Sequence, residues 1–85
     1  MDDRFTFFSE EYAQALQALQ TIENQASTLL VLGNSEELRG FIHQFLEMAR
    51  RDKTMAEEAG ETHFAEWFGE LIRKAEALQE SVGRS

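Results

Sequence analysis

The stretch from Tyr12 to Asn34, YAQALQALQTIENQASTLLVLGN, decides the fold of this 85-residue chain. Its apolar residues recur at alternating steps of three and four, which is the spacing of one face of an α-helix. The same spacing begins one turn earlier, at Phe8. The residues that share this face are Phe8, Tyr12, Ala15, Leu19, Ile22, Ala26 and Leu29. The stretch therefore predicts a long amphipathic helix.

Two further segments repeat the helical spacing. One carries a wide apolar stripe, from Leu38 through Phe41 to Ala59, and the other a stripe from Phe64 to Val82. Gly33-Asn34 and Gly60-Glu61 separate the segments, at points where a helix end favours a residue in the left-handed conformation. Proline is absent, so nothing forbids long helices. The sequence predicts helices near residues 10–32, 36–59 and 63–82.

Hydroxyl residues mark the predicted helix starts. Ser9-Glu10-Glu11 and Ser35-Glu36-Glu37 each place a capping serine before two carboxylates, which suits the positive end of a helix dipole. Thr62 is a weaker start for the third helix. Residues 1–8 then form a leader that precedes the first helix.

Short connections force consecutive helices to lie antiparallel. The expected fold is all-α: an antiparallel up-down-up three-helix bundle with short turns, forming a single helical domain over residues 1–85. A chain of this size buries only about 60–65% of its extended surface, so it often gains stability from a partner or from a well-formed bundle. Dimerisation into a larger bundle is therefore an option.

Composition excludes several classes of protein. Cysteine is absent, which rules out a disulfide scaffold and a thiolate zinc site. A net charge of −8 disfavours nucleic acid and anionic lipid, because both require clustered Lys and Arg. No apolar run approaches the roughly 18–20 residues of a membrane span, and a signal peptide's basic start and apolar core are missing. We expect a cytoplasmic protein.

The outer side of the first helix is unusual because it lacks charge. Between Tyr12 and Asn34 the only charged residue is Glu23. Uncharged amides and hydroxyls are cheaper to desolvate than ionised groups, and they can hydrogen-bond across a seam. The pattern favours a protein interface over a solvated face that happens to use glutamine. The residues on this side are Gln14, Gln17, Thr21, Asn24, Thr28, Val31 and Leu32.

The leader adds two unplaced aromatic residues. Phe8 fits the core stripe, but Phe5 and Phe7 have no assigned position in a three-helix core. Left in water, they would form an unusual apolar patch. They are expected either to fold back over the end of the bundle or to dock on a neighbouring molecule, and both belong to the predicted interface.

Asp52 falls in the centre of the apolar stripe of the second helix. A buried carboxylate requires a donor, and the hydroxyl of Tyr12 is the candidate at that level of the bundle. The alternative, which the sequence favours, is that the stripe frays and Asp52 reaches water beside Arg51 and Lys53.

No motif for catalysis, a cofactor or a metal stands out. His43 and Glu47 lie one turn apart, but two ligands without a third do not make a metal site. Trp67 lies one step off the stripe of the third helix, where it either closes the edge of the core or anchors an interface.

The expected function is therefore that of a small non-catalytic helical protein that acts through protein–protein contacts. It would do so as a homodimer or as the small subunit of a complex, without cofactor, nucleic acid or membrane. The alternative is an acidic helical regulator, similar in action to an antitoxin, that covers a basic surface of an enzyme or transcription factor. An enzyme using Asp52, His43 and Glu47 is the least favoured hypothesis.

Overall fold

The computed structural model describes residues 3–84, which form three α-helices. α1 spans Asp3–Val31, α2 spans Ser35–Glu58 and α3 spans Thr62–Arg84. Each helix packs against the other two, which confirms the predicted all-α three-helix bundle. The bundle is rod-shaped, with principal extents of 48 × 17 × 14 Å.

One continuous core runs along the axis of the bundle. Apolar residues from all three helices are buried in it, with Tyr12 and Leu29 at its edge. The stripes read from the sequence account for most of these residues, because period-3.6 spacing places them on one side of each helix. The largest apolar side chains with almost no exposure are Phe68, Leu19, Leu38, Ile42, Leu71 and Val82.

Both turns are glycine-terminated helix ends of the Schellman type. Gly33 has φ +78° and Gly60 has φ +77°, as the sequence predicted. At the first turn the N–H of Asn34 donates to the carbonyl of Leu29 at 2.8 Å, and the N–H of Gly33 donates to that of Leu30 at 3.2 Å. The second turn repeats the two bonds at 2.8 and 3.1 Å. These bonds satisfy carbonyls that the helix end would otherwise leave unpaired.

The first helix begins earlier than predicted. α1 starts at Asp3, so Ser9 lies inside the helix instead of capping it, and the predicted leader over residues 1–8 is helical from Asp3 onward. Residues 1 and 2 lie outside the described part of the chain. Phe8 is buried, and the rings of Phe5 and Phe8 both contact Phe64 of α3. This tertiary packing outweighs the local capping preference of serine.

The starts of α2 and α3 are each displaced by one residue. Ser35 and Thr62 are the first helical residues and not the caps. Asn34 occupies the cap position of α2: its carbonyl accepts the N–H of Leu38 at 3.2 Å, although its side chain makes no capping hydrogen bond. The carbonyl of Glu61 accepts a bond from the first turn of α3 at 3.1 Å. The short turns fix the positions of Asn34 and Glu61. The N–H of each residue donates to the end of the preceding helix, and its carbonyl accepts a bond from the first turn of the next helix.

Alanine substitution of two glycines should change stability in opposite directions. Gly33→Ala forces a side chain into a positive-φ conformation and should lower the free energy of unfolding by about 1 kcal/mol. Gly40→Ala, in the interior of α2 where a Cβ meets nothing within 4 Å, should raise it by about 1 kcal/mol. Chemical denaturation of the two variants and the wild type measures both changes. A stabilising Gly33→Ala would contradict the left-handed turn.

Candidate interface and a buried carboxyl pair

The seven residues predicted on the outer side of the first helix are all exposed, and we call them the α1 outer face. Val31 is 85% exposed and Leu32 is 66% exposed. The hydroxyl of Thr21 donates to the carbonyl of Gln17 at 3.0 Å within the helix. The α1 outer face therefore presents amides, a helix-bonded hydroxyl and two bare aliphatic side chains, with no charge. Its residues are Gln14, Gln17, Thr21, Asn24, Thr28, Val31 and Leu32.

A shallow groove between α1 and α2 borders this face. Its volume is about 350 Å³, and none of the residues that line it is charged. Phe41, which the sequence placed in the core stripe, instead lies partly exposed at the groove's edge. Phe41 immediately precedes the fully buried Ile42. The stripe of α2 in the sequence is too wide for all of its members to face the core, and this width was the signal that Phe41 could lie outside it. The lining residues are Ala18, Thr21, Ile22, Phe41, Gln44, Phe45 and Met48.

Most of the aromatic residues gather at the end of the bundle where α1 and α3 begin. The ring of Phe5 contacts Phe64 at a centroid distance of 5.5 Å, and the ring of Phe7 contacts Phe8 at 5.1 Å. Phe5 and Phe7 nevertheless remain 58% and 45% exposed. The two phenylalanines thus pack on their own chain and still leave about half of their surface exposed.

Trp67 belongs to the same aromatic end. Its ring lies 5.4 Å from that of Tyr12 in α1 and 5.3 Å from that of Phe64. Tyr12 also contacts Phe68 at 5.9 Å. Trp67 therefore closes the edge of the core between α1 and α3, which is one of the two roles that its position in the sequence allowed.

The nine predicted interface residues do not form one compact patch. Phe5 and Phe7 lie in the first two turns of α1, while Val31 and Leu32 lie at its other end. At 1.5 Å per residue, Phe7 and Val31 are separated by about 36 Å along the helix. A partner that covers both ends must therefore run along the length of α1.

Asp52 is the one buried charged residue in the described chain. It is 1% exposed, so the expectation that it reaches water is wrong. Neither of its carboxylate oxygens accepts a hydrogen bond from a donor group, so the predicted bond from the Tyr12 hydroxyl is wrong as well. Tyr12 instead packs its ring against α3. The stripe of α2 does not fray at Asp52, because Ala49 and Ala56 on either side are also buried.

Glu11 of α1 faces this buried carboxyl. The pKa of Asp52 is raised from its ordinary value of 3.8 to about 6: burial is the largest cause, and a hydrogen bond to Glu11 and the charge of Glu11 act in the same direction. The positive charge of Arg51 opposes the shift. Two carboxylates cannot donate to each other, so a hydrogen bond between them requires one proton. We call Asp52 and Glu11 the carboxyl pair.

The other candidate metal ligands read from the sequence are His43 and Glu47. His43 and Glu47 form an exposed contact of 3.1 Å on α2. Among residues 3–84, no group of three or more His, Cys, Asp or Glu is placed to hold a metal ion. None of the three helices, over the same residues, is long and apolar enough to cross a membrane.

A second groove, between α2 and α3, has a different character. Its volume is about 530 Å³ and its lining mixes cations and carboxylates. The aliphatic stem of Lys53 lies over Gly69, with its Cε atom 3.4 Å from the place of a Cβ. Two cations and three carboxylates line the groove, so the opposite charges compensate in large part and the groove does not favour a ligand of one sign strongly. The lining residues are Lys53, Glu57, Thr62, Ala65, Glu66, Gly69, Glu70 and Arg73.

No protein-family model matches this chain, and comparisons with curated proteins and with solved structures find no significant match. Any functional assignment therefore rests on the residues described above.

Stability should fall as the pH rises through the range in which Asp52 ionises. Because its folded-state pKa of about 6 lies above the ordinary 3.8, the folded protein binds this proton more tightly than the unfolded chain. The resulting stabilisation is complete below about pH 4, is lost as the pH passes through about 6, and amounts to about 3 kcal/mol. Urea denaturation between pH 4.5 and 7.5 should record about 2 kcal/mol of this loss, because the rest falls below pH 4.5.

The matched variants are Asp52→Asn and Asp3→Asn. Asp52→Asn should lose this decline, because an amide does not ionise and its N–H can donate to Glu11. Asp3→Asn removes a carboxylate from the exposed first turn of α1 and should keep the decline. An equally steep decline in Asp52→Asn would contradict the assignment.

Proposed function

We propose that this is a small non-catalytic helical protein that acts through protein–protein contacts, as a homodimer or as the small subunit of a complex. The α1 outer face is the contact surface. The observation that carries the proposal is the exposure of Val31 and Leu32 at the end of a face without charge, on a chain whose net charge is −8. Large exposed apolar side chains grouped on one surface are typical of interaction sites.

The energetics require a contact larger than these two side chains. Full burial of one Val or Leu contributes about 1.5–3 kcal/mol, and micromolar affinity requires about 8 kcal/mol. Phe41 at the edge of the adjoining groove supplies a third apolar group. Phe7, and Phe5 beyond it, supply others at the far end of α1. A helix laid along α1 and the groove would bury most of this set, in the manner of helix-in-groove recognition.

The polar part of the face determines which partners fit. Glutamine, asparagine and threonine side chains can each donate or accept a hydrogen bond. Desolvating them costs less than desolvating an ion, provided that the partner offers matching groups. The partner surface is therefore expected to be a helix with apolar residues framed by uncharged polar ones.

Lysine substitution within the face should abolish the contact. Thr21→Lys combined with Thr28→Lys places two ammonium groups on the seam, where burial would remove their hydration. Light scattering over a range of concentrations should show the wild type associating and the double variant as a monomer. If both run as the same monomer, the proposed interface fails.

A matched control adds the same charge elsewhere. Thr54 resembles Thr21, since its hydroxyl donates to the carbonyl of Arg50 at 3.0 Å on an exposed helix surface. Thr54→Lys combined with Ala77→Lys, both at exposed positions, should associate as the wild type does. Loss of association in this control would assign the effect to net charge instead of to the α1 outer face.

The second candidate is the acidic regulator, which the net charge of −8 favours. Such a protein would use its carboxylates to cover a basic partner surface. That contact weakens as salt screens it, whereas an apolar contact framed by amides changes little. Measurement of the association at low and high salt therefore separates the two candidates.

A further inference from the structure

The carboxyl pair lies at the seam between α1 and α2. Asp52 belongs to the buried side of α2, and Glu11 approaches it from α1. We propose that the carboxyl pair is a pH-sensitive switch: a proton shared between Asp52 and Glu11 holds α1 against α2, and loss of that proton loosens α1 together with the α1 outer face. The link to the α1 outer face rests on the proposed function, whereas the switch itself does not.

Among the described residues, Glu11 is the carboxyl group placed to share a proton with Asp52. Both Asp52 oxygens are buried and without a donor. Every buried side chain that α3 contributes to the core is apolar. On α2 the neighbouring charge is that of Arg51, whose side chain is exposed. On α1 the residues one turn from Glu11, Phe8 and Ala15 among them, are uncharged.

An unprotonated pair would place two negative charges at one seam. Ionised carboxylates at close range repel each other, and burial strengthens the repulsion because little water screens it. An Asp52 carboxylate left without a donor also loses its hydration. Moving Glu11 away and admitting water relieves both costs, and that movement opens the seam between α1 and α2.

The seam can open at α1 while the α2–α3 hairpin stays closed. α2 and α3 form the most extensive helix pair, and α1 packs less extensively on either of them. Arg50 of α2 and Glu76 of α3 also form an ion pair of 3.1 Å. A repulsion between Glu11 and Asp52 therefore acts on the less firmly held helix.

Loosening of α1 would reach the proposed interface directly. Gln14, the first residue of the α1 outer face, lies one helical turn beyond Glu11. The groove beside that face is built from both α1 and α2. A shift of α1 on α2 changes the shape of this groove, and a partner that fits the closed seam would bind less tightly above pH 6.

Hydrogen exchange of backbone amides tests the switch on the full chain. The protein is measured at pH 5.0 and pH 7.5 at dilute concentration, and rates are corrected for the intrinsic effect of pH. In the wild type, α1 amides should lose up to about tenfold of their protection at pH 7.5, because a group whose pKa differs by this much between the closed and open states changes the opening equilibrium by about that factor between the two pH values. α2 and α3 should lose less.

Two variants keep the test decisive. Asp52→Asn removes the ionisable group of Asp52 and leaves the other titratable residues, including both histidines, in place. Its α1 protection should be nearly the same at the two pH values. Glu11→Gln, at a partly buried position, offers an amide donor to an ionised Asp52 and should also reduce the change. The switch is overturned if wild-type α1 keeps its protection at pH 7.5, if the variants change as much as the wild type, or if all three helices lose protection equally.

Association measurements separate the switch from the proposed function. Light scattering at both pH values should show weaker wild-type association at pH 7.5 and little change for Asp52→Asn. Loosening of α1 without a change in association would overturn the regulatory part of the proposal. Absence of association at either pH, with loosening still observed, would overturn the proposed function and leave the switch standing.

Discussion

The packing of the apolar side of α2 against both of its neighbours is the interaction on which the structure depends. Leu38, Ile42 and Phe45 occupy the start of this side, and Ala49 and Ala56 its later turns. Small residues allow neighbouring helices to approach closely, and tight packing of this kind gives protein interiors their density. Asp52 places a carboxyl group in the middle of the same apolar surface. The apolar side of α2 therefore also contains the one buried charged residue of the described chain.

The sequence predicted the fold because its signals were local. Apolar spacing defined three helices, and Gly33 and Gly60 marked the turns, which the structure shows with positive φ. The start of α1 was missed because its order comes from contacts between Phe5, Phe8 and Phe64, and Phe64 lies far away in the sequence. A capping serine is a preference of about 1 kcal/mol, and aromatic packing can exceed that.

The same distinction explains the functional residues. The α1 outer face follows from composition and a helical wheel, and the structure places all seven of its residues at the surface. The carboxyl pair was missed, because the side chain facing Asp52 comes from another helix and depends on the register between α1 and α2. From the sequence alone, burial of a lone carboxylate is costly, so Asp52 was expected to reach water. Proton sharing with Glu11 offers a different way to lower that cost.

The side chain of Arg4 joins the beginning of α1 to the end of α2. Its guanidinium donates to the carbonyl of Ala59 at 3.2 Å, just beyond the last residue of α2. A cation at that place also suits the negative end of the helix dipole. Shortening the chain at its N-terminal end would therefore fray a second helix from its opposite terminus and uncover Phe64.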